Sequence, residues 1–264
     1  MAASRGGREW TGAAPSQLSL LESGAVPAAT GAAAAVLQGW PQPQPLVGHA
    51  DHLAGRRTKL VGSTASPREH SRPDQEQPIQ LPDGRLLCPS SDEQGRWRIH
   101  LEWADETATR WRRGPPLNDG RSFAAIQPCL LIHPGNRLQM LCRTRQGTVG
   151  ECWSQDGGET WTPMQSTELP NPDSGIDAVT LASGQMVLVY NHSRTARTPL
   201  NVALSENGRE WAGLAVLEDE PGEYSYPAVI QCGSGRVHVT YTWNRRRIRH
   251  VSLSPADFKP AAAI

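Results

Sequence analysis

The sequence predicts an all-β fold, a β-propeller of four-stranded blades, on three observations. First, Trp111, Trp161 and Trp211 stand fifty residues apart, each closing a short polar turn: "ADETATRW", "SQDGGETW" and "SENGREW". Second, "QPIQLPDGRLLC", "QPCLLIHPGNRLQMLC", "DAVTLASGQMVLVY" and "YPAVIQCGSGRVHVTY" each read as apolar strand, glycine turn, apolar strand. Their glycines, Gly84, Gly135, Gly184 and Gly235, keep nearly the same step. Third, Gly (25) and Pro (22) are abundant among the 264 residues while Phe (2) is scarce, which suits a turn-rich β chain. Two markers in phase at a period of about 40–50 residues, with several strands per period, signify radially repeated sheets.

Taken in order, "SRGGREW" (residues 4–10) reads as the final turn of a unit. A step of fifty back from Trp111 anticipates a tryptophan near position 61, and none is there. Residues 1–71, rich in Ala, Pro and Gln, are therefore expected to form a divergent or incomplete blade region, disordered in part. Residues 72–258 hold four regular units, beginning at about Glu76. In "SQDGGETW" the Gly157–Gly158 pair permits a left-handed turn and Asp156 can cap amides within it, so the stretch is a structural staple with Trp161 anchored between strands. In "RVHVTYTW", Val237, Val239, Tyr241 and Trp243 alternate with His238, Thr240 and Thr242, the period of a half-buried strand. The run "NRRRIRH" is expected to give solvated charges on an edge strand, with an anion patch as the other reading.

Charge and composition exclude some classes. Lys plus Arg (26) equals Asp plus Glu (26), so no bias points to nucleic acid. No run approaches the roughly 18 apolar residues of a membrane span, and no membrane contact is expected. The Ala-rich "PAATGAAAAVLQGW" lacks the basic start of a signal peptide, which leaves the compartment open, the cytoplasm included. The five cysteines form no CxxC pair and read as free, buried thiols rather than metal ligands. A monomer without cofactor or metal is expected.

"SQDGGETW" resembles the Asp box, S-x-D-x-G-x-T-W, of the sialidase superfamily. Together with "GIDAVTLASGQMVLVYNHS", "PLNVALSENGREW" and "GEYSYPAVIQ", it makes residues 72–257 resemble the sialidase-like branch with BNR repeats. The resemblance implies a six-bladed propeller, its first blade incomplete here, with the site at the centre of one face. It also implies an exo-α-sialidase type of glycoside hydrolase whose partner is a glycan or acidic monosaccharide.

Such a sugar carries a carboxylate, which planar Arg holds better than Lys. An anionic nucleophile would be repelled, so sialidases use a Tyr activated by a carboxylate. The resemblance places Tyr224 of "GEYSYP" as that nucleophile. Tyr226, one strand period on and expected to point the same way, is the alternative. Arg197, Arg143 and, competing with it, Arg145 take the carboxylate-binding positions. Gln127 stands where the family has the Glu that serves as base, and Gln cannot take a proton. Glu223 is a substitute, though adjacent strand residues face opposite ways. Asp177, Asn191 and His192 are candidates for sugar hydroxyls. Two Arg facing the cavity with few acids beside them would form a carboxylate trap. Catalysis is expected to be impaired, and two other readings stay open: a glycan-binding propeller without catalysis, and a polysaccharide lyase of related fold.

Overall fold

The computed structural model describes residues 77–254 and 258; the region 1–71 lies outside the described residues. The chain forms four antiparallel sheets, each a meander whose strands pair in sequence order. Blade 1 comprises β1 (Ile79–Gln80), β2 (Leu86–Asp92), β3 (Arg98–Ala104) and β4 (Trp111–Arg113). Blade 2 comprises β5 (Ala125–His133), β6 (Arg137–Thr144), β7 (Thr148–Ser154) and β8 (Gln165–Pro170). Blade 3 comprises β9 (Asp177–Thr180), β10 (Met186–Asn191), β11 (Leu200–Ser205) and β12 (Ala212–Glu218). Blade 4 has three strands among the described residues, not the expected four: β13 (Tyr224–Gln231), β14 (Val237–Trp243) and β15 (Arg247–Leu253). Apart from one short 3-10 turn at Pro134–Asn136, the described residues contain no helix.

Three apolar cores lie between successive blades. Leu87, Ile99 and Leu101 of blade 1 meet Leu138, Met140 and Cys152 of blade 2. Leu131 and Leu141 of blade 2 meet Met186, Leu188 and Tyr190 of blade 3. Val187, Val189 and Val202 of blade 3 meet Val239 and Tyr241 of blade 4. The two faces of β10 thus serve two different cores, which is why "MVLVYN" is buried at every residue and reads as a continuous apolar run. Cys88, Cys129, Cys142 and Cys152 are buried free thiols within these layers. Burial pushes the Cys88 and Cys152 thiols up to about 12, so they stay protonated and pack as small hydrophobes.

The phased glycines turn the inner hairpins. Gly84, Gly135, Gly184 and Gly235 have φ of 87°, 75°, 88° and 84°, a region L side chains rarely occupy. The Asp boxes close the outer hairpins through their own hydrogen bonds. Asp156 Oδ1 accepts from Thr160 N (2.9 Å), Ser154 Oγ accepts from Gly158 N (2.8 Å), and the Trp161 indole donates to Gly158 O (3.0 Å). Asn207 replaces Asp in the next box, and Trp211 donates to Gly208 O (3.1 Å). In the first box Trp111 donates to Ala108 O (2.9 Å), where Ala108 takes the left-handed φ of 54° that glycine supplies elsewhere.

The second and third boxes lean on the preceding blade. Trp161 joins the core between blades 1 and 2, and Trp211 that between blades 2 and 3, but both rings are half-buried rather than enclosed. The indole N–H bonds its own loop, so these residues cap a turn as much as they fill a core. Gly208 sits against buried Gln139 of β6, whose Nε2 donates to Gly208 O (2.7 Å) and Glu151 Oε2 (2.8 Å). Gln139 Oε1 pairs with His133 Nε2 (3.1 Å). Since the amide nitrogen is the donor group, His133 must supply the proton of that bond. The basic run 245–249 ends on β15: Arg245 bonds Glu223 (2.9 Å), Arg249 bonds Glu218, and Arg247 lies 4.5 Å over Trp243.

Candidate functional site

The inner strands β5, β9 and β13 begin side by side, and Asp177 at the head of β9 fastens that strand to β13. Its Oδ2 accepts from Val229 N (2.7 Å) and from Gln77 Nε2 (2.8 Å), and Gln77 also reaches Val229 O (3.1 Å). Its Oδ1 accepts from Ala178 N (2.9 Å). Asp177, expected to meet sugar hydroxyls, thus has its carboxylate engaged in joining strands. Beside it lies a shallow cavity of about 30 Å3, lined by Gln127, Pro128, Cys129, Gly175, Ile176, Asp177, Tyr226 and Pro227. That volume holds about one water, so a larger ligand must rest on this depression rather than enter it.

Two backbone irregularities shape the rim. The registers of β5 and β13 shift between Ile126 and Cys129 and between Ser225 and Ala228. Within them Gln127 and Tyr226 have φ of 51° and 52°, each directly before a proline. Pro disfavours the α region for its predecessor, so these conformations are held by their surroundings. The shift separates the two tyrosines that the two-residue spacing placed on one face. Tyr224 is 1% exposed and lies in the core between blades 3 and 4, whereas Tyr226 is 42% exposed at the cavity. Burial, followed by Glu218, raises the Tyr224 hydroxyl above its ordinary 10. Gly175 permits the close approach of Tyr226: a methyl there would lie 3.2 Å from its ring and 3.7 Å from Gln127 Oε1. Among the described residues the Tyr226 hydroxyl has no hydrogen-bond partner.

Arg143 and Arg197 come with acids attached, contrary to the expected carboxylate trap. Arg143, nearly buried, donates through Nε (3.0 Å) and Nη2 (2.7 Å) to Asp173 Oδ1, through Nη2 to Asp173 O (2.8 Å), and through Nη1 to Gln127 Oε1 (2.9 Å). Gln127 in turn donates to Glu93 Oε1 (2.9 Å). Arg197 lies 5.7 Å over the Tyr226 ring, and its Nη1 is 3.3 Å from Glu223 Oε1, which Arg245 shares. Arg145 lies 4.1 Å over Trp97, beside Arg143 at 5.1 Å from the same ring.

Two further candidates also stand apart from the cavity lining. Asn191 is buried, donating to Pro199 O (3.2 Å) and Tyr224 O (3.1 Å) while accepting from Ser174 Oγ (2.6 Å), so it braces the loop before β9. His192 pairs through Nδ1 with the Tyr190 hydroxyl at 2.5 Å, and desolvation lowers its pKa. Sequence reasoning missed Gln77, Trp97 and Asp173. Only Gln77 left a signal, since "QP" opens the inner strand of blades 1 and 2 alike.

A family profile described as a BNR repeat-like domain matches residues 57–239, more than half of the chain. The chain belongs to the BNR repeat-like family. No curated protein matches it. Among solved structures this BNR repeat-like chain is similar to the NanB sialidase from Streptococcus pneumoniae, at 15% identity and TM-score 0.56 over 69% of this chain and 31% of that one. It is similar to the intramolecular trans-sialidase from Ruminococcus gnavus, at 16% and 0.56 over 70% and 44%. It is also similar to a protein of unknown function from Dyadobacter fermentans, at 18% and 0.57 over 66% and 51%. At these identities the likeness establishes the fold, a sialidase-type β-propeller. The chain spans about a third to a half of the length of these relatives.

Proposed function

We propose that this chain binds an acidic terminal sugar of a glycan on the axial depression and does not hydrolyse it. The reading rests on Tyr226: a 42% exposed ring and a hydroxyl with no partner among the described residues, with Gln127 beside it in the cavity lining and the Arg197 guanidinium over the ring. The ring suits the apolar face of a sugar, the hydroxyl a sugar oxygen, and Arg197 a carboxylate. Arg143 acts through Gln127, holding its carboxamide at the rim. Turnover by a tyrosine nucleophile needs a base. Gln127 offers none, and the nearby carboxylates of Glu93, Asp173, Asp177 and Glu223 are each engaged by donors of the protein.

Saturation-transfer NMR with N-acetylneuraminic acid, run beside a fluorogenic sialoside, tests both halves. Binding is expected in the parent, about tenfold weaker in Arg197→Ala from the loss of a charge-assisted bond, and absent in Tyr226→Ala. Absence of binding in the parent would sink the proposal. Sustained release of the fluorophore would overturn its non-catalytic half and restore the hydrolase, with Tyr226 as the tyrosine at the cavity.

A further inference from the structure

We propose that Arg145 and Trp97 form a second anion subsite on the blade 1–2 shoulder of the depression, so that the preferred ligand is a glycan bearing two acidic groups. This rests on the axial binding reading and extends it.

How each arginine is held carries the argument. A guanidinium fixed by a carboxylate has lost most of its field and several of its donors to that partner. Arg143 is in this state, with Asp173 on Nε and Nη2 and Gln127 on Nη1. Arg145 is two residues further along and is fixed differently. Its guanidinium lies 4.1 Å over the face of Trp97, it is exposed, and among the described residues no carboxylate pairs with it. An aromatic face orients a guanidinium without neutralising it and leaves its in-plane N–H donors pointing outward.

The platform is itself anchored. Trp97 O accepts from Asn118 Nδ2 (2.8 Å), which also holds Phe123 O (2.7 Å), and Arg145 N donates to Ala124 O (3.1 Å). Asn118 therefore ties the turn carrying Trp97 to the segment that holds the Arg145 backbone, so the main chain on both sides of the stack is held in place. Position completes the case. Arg143 touches the Trp97 ring on one side and Gln127 at the cavity on the other, so the shoulder adjoins the axial depression. Glu93 is the carboxylate on this side, and it accepts from Gln127 and Ser91 rather than from Arg145. Arg197 stands by Tyr226 on the blade 3–4 side. A ligand crossing the depression meets Arg145 at one end and Arg197 at the other, with the amide of Gln127 and the hydroxyl of Tyr226 between. Arg197 spends only Nη1 on Glu223, at 3.3 Å and shared with Arg245, so among the described residues its Nε and Nη2 remain for a ligand.

Calorimetric titration with lactose, N-acetylneuraminic acid and its α2,8-linked dimer tests this in the parent and in Arg145→Ala, Arg246→Ala and Tyr226→Ala. Arg246 is an exposed arginine of the β14–β15 turn and controls for the general loss of one charge. The expected result is about tenfold weaker binding of the dimer by Arg145→Ala, little change for the monomer, and no effect of Arg246→Ala. Equal affinity of parent and Arg145→Ala for the dimer, with Tyr226→Ala still abolishing binding, overturns the second subsite and leaves the axial reading intact. Equal losses from Arg145→Ala and Arg246→Ala also overturn it, since the effect would then be unlocalised charge. Failure of every ligand to bind the parent overturns both.

Discussion

Substituting Ala for Gly208 separates two reasons for a glycine in the Asp-box turn. The backbone there has φ of 73°, and an added methyl carbon would lie 2.2 Å from Gln139 Oε1 and 2.7 Å from His133 Cε1. The left-handed conformation costs Ala about 1–2 kcal/mol. The contact forces Gln139 aside, which breaks its bonds to His133, Glu151 and Gly208 O in a fully buried setting. Leaving such groups unsatisfied costs about 1–3 kcal/mol each. With two of these groups left unsatisfied the total is about 3–8 kcal/mol, a Tm lower by roughly 10 °C or more for a domain of this size. Gly184→Ala is the matched control, because its φ of 88° is equally unfavourable yet nothing lies within 4 Å of the added carbon. Its expected fall is about 3–6 °C, the backbone part alone. Both are read by calorimetric melting in one buffer. If the two variants melt within a degree or two of each other, the Gln139 network contributes nothing and the reasoning fails.

The Asp box that lacks a glycine offers the reverse experiment: Ala108→Gly relieves a φ of 54° and should raise Tm by a degree or more, while an unchanged or lower Tm would show that the turn is not strained. Acid sensitivity should come from histidines before carboxylates. His133, His192 and His238 have pKa values lowered from 6.5, with desolvation the first cause in each. The unfolded chain therefore binds more protons than the folded one as pH falls through about 6.5, and stability drops with it. Asp156, held down to about 2 by its bonds to Thr160, keeps its charge through that range. Melting between pH 7.5 and 5 should show a falling Tm, and a flat or rising profile would contradict this reading.

The blades were legible because glycine turns and box tryptophans are both local signals, and each blade closes through residues near one another in sequence. The family resemblance, set on that phase, pointed to Gln127, Arg143 and Arg197. It could not say which tyrosine faces the axis. That depends on the register shift at 225–228, where a rule of strict alternation fails. A proline after each displaced residue, Pro128 and Pro227, was the available clue, since proline inside a strand marks a bulge or an edge. Asp173 and Trp97 lie in loops that carry no phase. Trp97 meets Arg143 only once blades 1 and 2 stand together, and Asp173 reaches it from the loop that follows β8, so the charge compensation at the cavity was unreadable from the chain alone.

Gln77 joins partners 100 and 152 residues away, Asp177 and Val229, while the hairpins of each blade connect residues a few tens apart or fewer. Chain entropy must be lost before contacts so remote give anything back. Blades can thus assemble one by one along the nascent polypeptide, whereas the bonds of Gln77 wait until blades 3 and 4 exist. A side chain rewarded so late leaves the rate of assembly almost untouched and acts instead on how slowly the described blades come apart. In that sense Gln77 is a latch: its side chain is short, its partners are two strands of other blades, and what it sets is a lifetime.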